Sequence, residues 1–254
     1  MTHTLKDRIN AFLIHLGISA VIAAISMFVV FFIWYPAPLH TAVGVTQIFL
    51  ILLAVDITIG PLITFIIFKK GKKSLTFDLT VIALLQVAAL AYGMNTVFEG
   101  RPVFVVFSVD RFEVSRAYEI DPKSHDTALK AKNENAKVSW LQPKWVGAVA
   151  SKDHDRRQKI MFDSVQGGND WPQLPELFVP LSKVKKQILE KGKTLEMLRK
   201  LRKNDPAVQA GLADWKDNDV KWLPLASNAK NMTVIVDATS AEVLKVVDIN
   251  PWDK

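Results

Sequence analysis

No cysteine occurs in the 254 residues, which excludes a disulfide framework and thiol chemistry and leaves an oxidising compartment open. Histidine is scarce and scattered. His3, His15, His40, His125 and His154 include no i, i+4 pair and no glutamate placed as in a zinc-protease helix, so no metal site is expected. The sequence has no Gly-rich phosphate loop, nucleophile elbow or glycosidase-like carboxylate pair, so neither a catalytic residue nor a cofactor is expected. Charge is also missing where it counts. Ala11 to Trp34 has none, and Tyr35 to Thr41 lacks Lys and Arg.

Only six of the 32 basic and four of the 25 acidic residues fall in the first hundred positions. A bilayer core about 30 Å thick takes roughly 20 apolar residues in a helix. Three stretches meet that length, predicting spans over about 11–34, 42–68 and 79–98. The first reads as a signal anchor, because its apolar run exceeds a signal-peptide core and no small-x-small cleavage site follows it. It ends at Trp34-Tyr35-Pro36, where aromatic rings suit the headgroup region and proline stops the helix. Lys6 and Arg8 precede the first span, and Lys69, Lys70, Lys72 and Lys73 separate the second from the third. The positive-inside rule then predicts a cytoplasmic N-terminus and puts the domain over 101–254 outside, which in a bacterium with two membranes is the periplasm, with membrane lipids as neighbours of the spans.

Polar residues inside these spans have a structural and a functional reading. Asp56, in the middle of the second span, costs several kcal/mol against lipid, so it should be protonated or face another helix. It either pins the bundle or serves a partner. Thr46, Gln47, Thr58, Thr64, Gln86 and Asn95 can hydrogen-bond between spans. Gly60-Pro61 predicts a kink just after Asp56 and a freed carbonyl near residue 57, met by a neighbouring helix or a Thr hydroxyl. Asp78 complements the positive end of the third helix. A proton path would need more than Asp56 and His15, so transport is disfavoured.

Beyond Gly100 the pattern becomes that of a soluble α+β domain with a small antiparallel sheet. Residues 103–107 and 112–114 predict an early strand or hairpin, and 232–236 with 243–249 a closing hairpin. Residues 122–138 predict a helix or connection, 153–165 a helix, and 171–175 an extended, proline-punctuated stretch. His154-Asp155-Arg156-Arg157 is better explained as a solvated first helical turn than as a catalytic or anion site. Ser182 to Lys203 predicts an amphipathic helix with a break at Gly192. Its basic face is either solvated over a buried stripe or laid on anionic headgroups. A location outside the cytoplasm disfavours nucleic acid.

Four ordered stretches resemble the TfpX/TfpZ-type type IV pilin accessory proteins. They are Asp56 to Thr64 (DITIGPLIT); Lys73 to Leu79 (KSLTFDL) through Gln86 and Tyr92-Gly93; Arg101 to Phe112 (RPVFVVFSVDRF); and the hairpin ending Asn250-Pro251-Trp252. The resemblance implies an inner-membrane, chaperone-like accessory factor that binds a cognate major pilin and promotes type IV pilus assembly. It implies neither an enzyme nor a small-molecule substrate. The positions it marks for pilin contact or for the fold are Asp56, Gly60, Pro61, Asp78, Gln86, Arg101, Pro102, Asp110, Arg111 and Phe112. Two other readings stand beside it: a membrane-bound pilin-modifying enzyme using Asp56 or the His154-Asp155 region, and a periplasmic ligand sensor. The short N-terminal tail and the lysine loop offer a sensor no output element.

Overall fold

A computed structural model describes residues 2–201, 206–213 and 215–252. The chain forms two compact units, one from residues 1–33 and 45–99, the other from 34–44 and 100–254.

In the first unit, helix α1 (Thr2–Phe28) runs on through a π-helical turn, Val29–Trp34. After the short helix α2 (Leu39–Ala42) come α3 (Val45–Ile67) and α4 (Leu75–Glu99). Leu5–Trp34, Val45–Ile67 and Leu75–Glu99 are each long and apolar enough to cross a membrane. The second starts later than predicted, because Gly44 takes a left-handed φ of 77° and separates α3 from α2. The third starts earlier, with Asp78 in its first turn. Helix α3 packs against both α1 and α4. Arg8 Nε donates to the Phe68 carbonyl at 2.8 Å, placing a cation at the negative end of α3.

The second unit is a mixed sheet with helices on its faces. Its strands are β1 (Pro102–Ser108), β2 (Arg111–Arg116), β3 (Lys144–Ala148), β4 (Phe178–Pro180), β5 (Lys193–Thr194), β6 (Val220–Ala226), β7 (Met232–Asp237) and β8 (Val243–Val247). They run in the order β4-β3-β1-β2-β6-β7-β8, with β5 paired to β6. The expected antiparallel sheet is therefore corrected. β1–β3 and β2–β6 are parallel pairs, and both involve a strand that the sequence pattern does not announce. β3 is only five residues long, and β6 contains Pro224, which normally argues against a paired strand.

All seven residues of β1 are buried, since helices or loops cover both faces of the sheet. Val105 and Phe107 face a core shared with Phe112, Leu223, Val234 and Val236. Phe104 and Val106 face another, closed by Ile160, Leu174, Leu177 and Phe178. The proline-punctuated stretch supplies that second cover through two short 3-10 turns, Trp171–Gln173 and Pro175–Leu177.

Among the described residues the unit also holds α5 (Pro122–Lys130), α6 (His154–Val165), α7 (Leu181–Lys191), α8 (Leu195–Leu201) and α9 (Pro206–Leu212). The segment expected as one basic helix is α7, a break at Gly192, β5 and then α8; Arg202 and Lys203 lie outside the described residues. Val184 and Ile188 of α7 are buried in the first core, and Leu195 and Leu198 of α8 in a third. Lys186 is solvated, as a polar face over an apolar stripe requires.

The segment 34–44, which includes Tyr35 to Thr41 between the first two predicted spans, folds with the sheet domain. Leu39 and Ala42 enter the first core. The Ala42 carbonyl accepts from Ala229 N at 3.1 Å and Lys230 N at 3.0 Å. Tyr35 is fully buried, and burial pushes its phenol pKa up against the opposing pull of Arg116 and Arg101.

Candidate functional site

His15, Asp56, Thr64 and Gln86 of the first unit converge on one node. His15 of α1 lies 2.7 Å from Thr64 Oγ1 of α3 through Nδ1, and 2.7 Å from Gln86 Oε1 of α4 through Nε2. Gln86 Nε2 donates to the Asp56 carbonyl at 3.0 Å. The Gln86 oxygen can only accept, so His15 Nε2 carries a proton. In the neutral ring Nδ1 then accepts from the Thr64 hydroxyl. Each helix contributes a side chain that the others satisfy, which apolar surroundings demand.

Gly60 makes this approach possible, because a Cβ there would fall inside the Gln86 amide. Gly93 does the same on the other side, where a Cβ would meet the Leu52 side chain. Pro61 is buried within α3, and the amide of a neighbouring helix reaches the backbone one residue from the expected carbonyl. Thr58 bonds back to Ala54 O at 2.7 Å and takes no part in the node.

Asp56, His15 and Gln86 line a cavity of about 180 Å³ whose other walls include Ile22, Leu53 and Leu90. Asp56 Oδ2 is buried there without a hydrogen-bond partner. The cavity is thus an apolar slot with one unmet acceptor, or one unmet donor if the carboxyl is protonated. His15 is missing from the residues that the resemblance marks. Its place between Thr64 and Gln86 becomes apparent only once the helices are packed. Asp78 stands apart, paired with Lys72 and accepting from Ser74 Oγ at 3.2 Å.

In the second unit the Arg101 to Phe112 stretch and the Asn250-Pro251-Trp252 stretch meet. The turn between β1 and β2 is tight, with Val109 at φ 56°. Arg111 Nε donates to Asp110 Oδ1 at 2.8 Å, which holds the Asp110 carboxyl below the usual range and raises the Arg111 pKa. The same guanidinium lies over the Trp252 ring. Arg101 and Pro102 are buried at the start of β1, and Phe112 packs edge-on against Phe107 and Trp145. These last three are core positions. Beside them Glu113 is half-buried and accepts from Ser108 Oγ at 3.3 Å; burial, then Asp170, raises its pKa.

His154 and Asp155 form no site. Asp153 Oδ1 caps α6 by accepting from Asp155 N at 2.9 Å and Arg156 N at 3.3 Å, while the His154 and Asp155 side chains are 68% and 100% exposed. Among the described residues no three His, Asp or Glu side chains converge as a metal site would require.

Fold and node together define a class: three apolar helices knit by buried polar side chains, joined to a mixed-sheet domain. Comparison with known proteins narrows it. The family model described as fimbrial assembly protein FimB matches residues 3–44. Three relatives from Dichelobacter nodosus are also similar. The fimbrial assembly protein of serogroup I is 27% identical over 246 residues, 94% of each chain. That of serogroup E1 is 25% identical over the same length and coverage. That of serogroups C1 and C2 is 35% identical over 103 residues, 40% of this chain and 79% of the relative. The chain belongs to the fimbrial assembly protein family. No solved structure matches it.

Proposed function

We propose that this protein is an inner-membrane fimbrial assembly factor of the TfpX/TfpZ type that binds a cognate major pilin and promotes its assembly into type IV pili. The carrying observation is similarity to fimbrial assembly proteins along 94% of the chain, through both units. A pilin waiting in the inner membrane presents an apolar helix below and a globular head above, and the two units offer surfaces of both kinds. The unmet carboxyl oxygen in the Asp56 cavity favours a helix that brings a hydrogen-bonding group into lipid.

The reading includes an orientation with the sheet domain periplasmic and the lysine loop between α3 and α4 cytoplasmic. Two features support it: residues 34–44 and 101–254 share one core, through which no bilayer would pass, and the lysine loop carries the charge that the positive-inside rule favours in the cytoplasm. A periplasmic phosphatase active at Gly71 and silent at Lys123 would overturn this.

Deleting the gene should reduce surface pili and twitching while pilin transcription continues. Photocrosslinkers at Ile22, on the cavity wall, and at exposed Val109 should capture pilin. Normal piliation without either crosslink sinks the reading. A pilin mass change that depends on this protein would support a modifying enzyme in its place.

A further inference from the structure

Trp140 and Leu141 are 72% and 64% exposed in the connection before β3, and nothing in the resemblance marks them. Two relations within the second unit fix where that connection lies. Gln142 and Pro143 line a groove of about 530 Å³ together with Pro36, Pro38, Leu39 and Trp145. Pro36 follows Trp34, the last residue of the first apolar helix, by two positions. Independently, β1 and β3 are parallel with Phe104 opposite Lys144, so both strands start at the same end of the sheet. β1 leaves α4 there, with Pro102 three residues past Glu99. At about 3.3 Å per residue and about 4.8 Å between strands, residues 140–143 stand within roughly 15–25 Å of the exits of two apolar helices.

From these positions we infer that Trp140 and Leu141 form a lipid anchor. They enter the lipid–water interface of the membrane that the three helices cross and hold the sheet domain's lower edge on it. The chemistry fits. An indole prefers the headgroup region, a neighbouring leucine reaches the acyl boundary, and Lys137 and Lys144 flank them as interfacial cations. The anchor rests on the three helices being membrane spans, and not on what the protein assembles.

The absence of cysteine makes the test clean, since a single introduced thiol takes all the label. Full-length Trp140→Cys, Leu141→Cys and Val109→Cys proteins, labelled with an environment-sensitive fluorophore, are placed in phosphatidylcholine nanodiscs with and without lipids spin-labelled near the headgroup. Val109, 55% exposed at the opposite end of β1, is the control. Quenching several-fold stronger at 140 and 141 than at 109 supports the anchor. Labels at 140 and 141 that stay as unquenched as at 109 overturn it. Equal quenching at all three also overturns it, because the dye would then be seeking lipid from any site.

Discussion

Gly60 of α3 and Gln86 of α4 occupy complementary space: the missing side chain of one is filled by the amide of the other. Gly60→Ala is therefore expected to push Gln86 off the Asp56 carbonyl and away from His15, costing about 1–3 kcal/mol as an overpacked contact. Thermal unfolding in detergent reads the loss. Pairing Gly60→Ala with Gln86→Ala should recover part of it, since the collision goes while the hydrogen bonds stay absent. A double variant as unstable as the sum of its singles would refute a direct contact.

At Asp56 the contrast lies between polarity and charge. Asp56→Asn should leave the protein inserted and functional, because the amide is nearly isosteric and still bonds. Asp56→Leu should lower accumulation, piliation or both. Full tolerance of leucine in both assays would leave Asp56 with neither a packing nor a partner role.

Arg111 and Trp252 join the turn at the far end of β1 to the end of the described chain. A double-mutant cycle with Arg111→Ala and Trp252→Ala should give a coupling of about 0.5–1 kcal/mol, the size of an exposed cation–π contact. Arg111→Lys should keep the charge yet lose the forked contact with Asp110. Additive single effects would dissolve the link.

Glu113 gives the second unit a pH dependence whose sign is fixed. Its folded pKa is raised by burial, so between the ordinary glutamate range and that raised value the native state holds a proton that the unfolded chain has released. Stability through this group therefore falls as pH rises across the window. Glu113→Gln should flatten the slope and unfold at higher temperature than the parent at neutral pH. A parent that gains stability on raising the pH while the variant does not would contradict the burial.

The sequence discloses apolar length, charge placement and hairpins better than it discloses partners across space. Three apolar runs, the closing hairpin and the break at Gly192 are all legible, because each is set by local period or a single breaker residue. The parallel pairings are not. β3 is short, Pro224 disguises β6, and the residues opposite them come from distant sequence. For the node, Thr64 and Gln86 are visible as inter-span donors, but His15 joins them only because α1 turns that face toward α3 and α4. Phe112 is marked by the resemblance for pilin contact or for the fold, and only the packing shows its side chain fully buried in the first core.

The packing of residues 34–44 into the sheet domain imposes a schedule on biogenesis. Leu39 and Ala42 are made long before Met232, Val234 and Val236, which share their core, and before the Ala229 and Lys230 amides that cap Ala42. The loop must remain exposed and unsatisfied while two further helices insert, and the domain closes over it only once β7 has been made. A release of the nascent chain short of β7 thus strands an apolar loop and an open sheet edge together, a species for proteolysis to find.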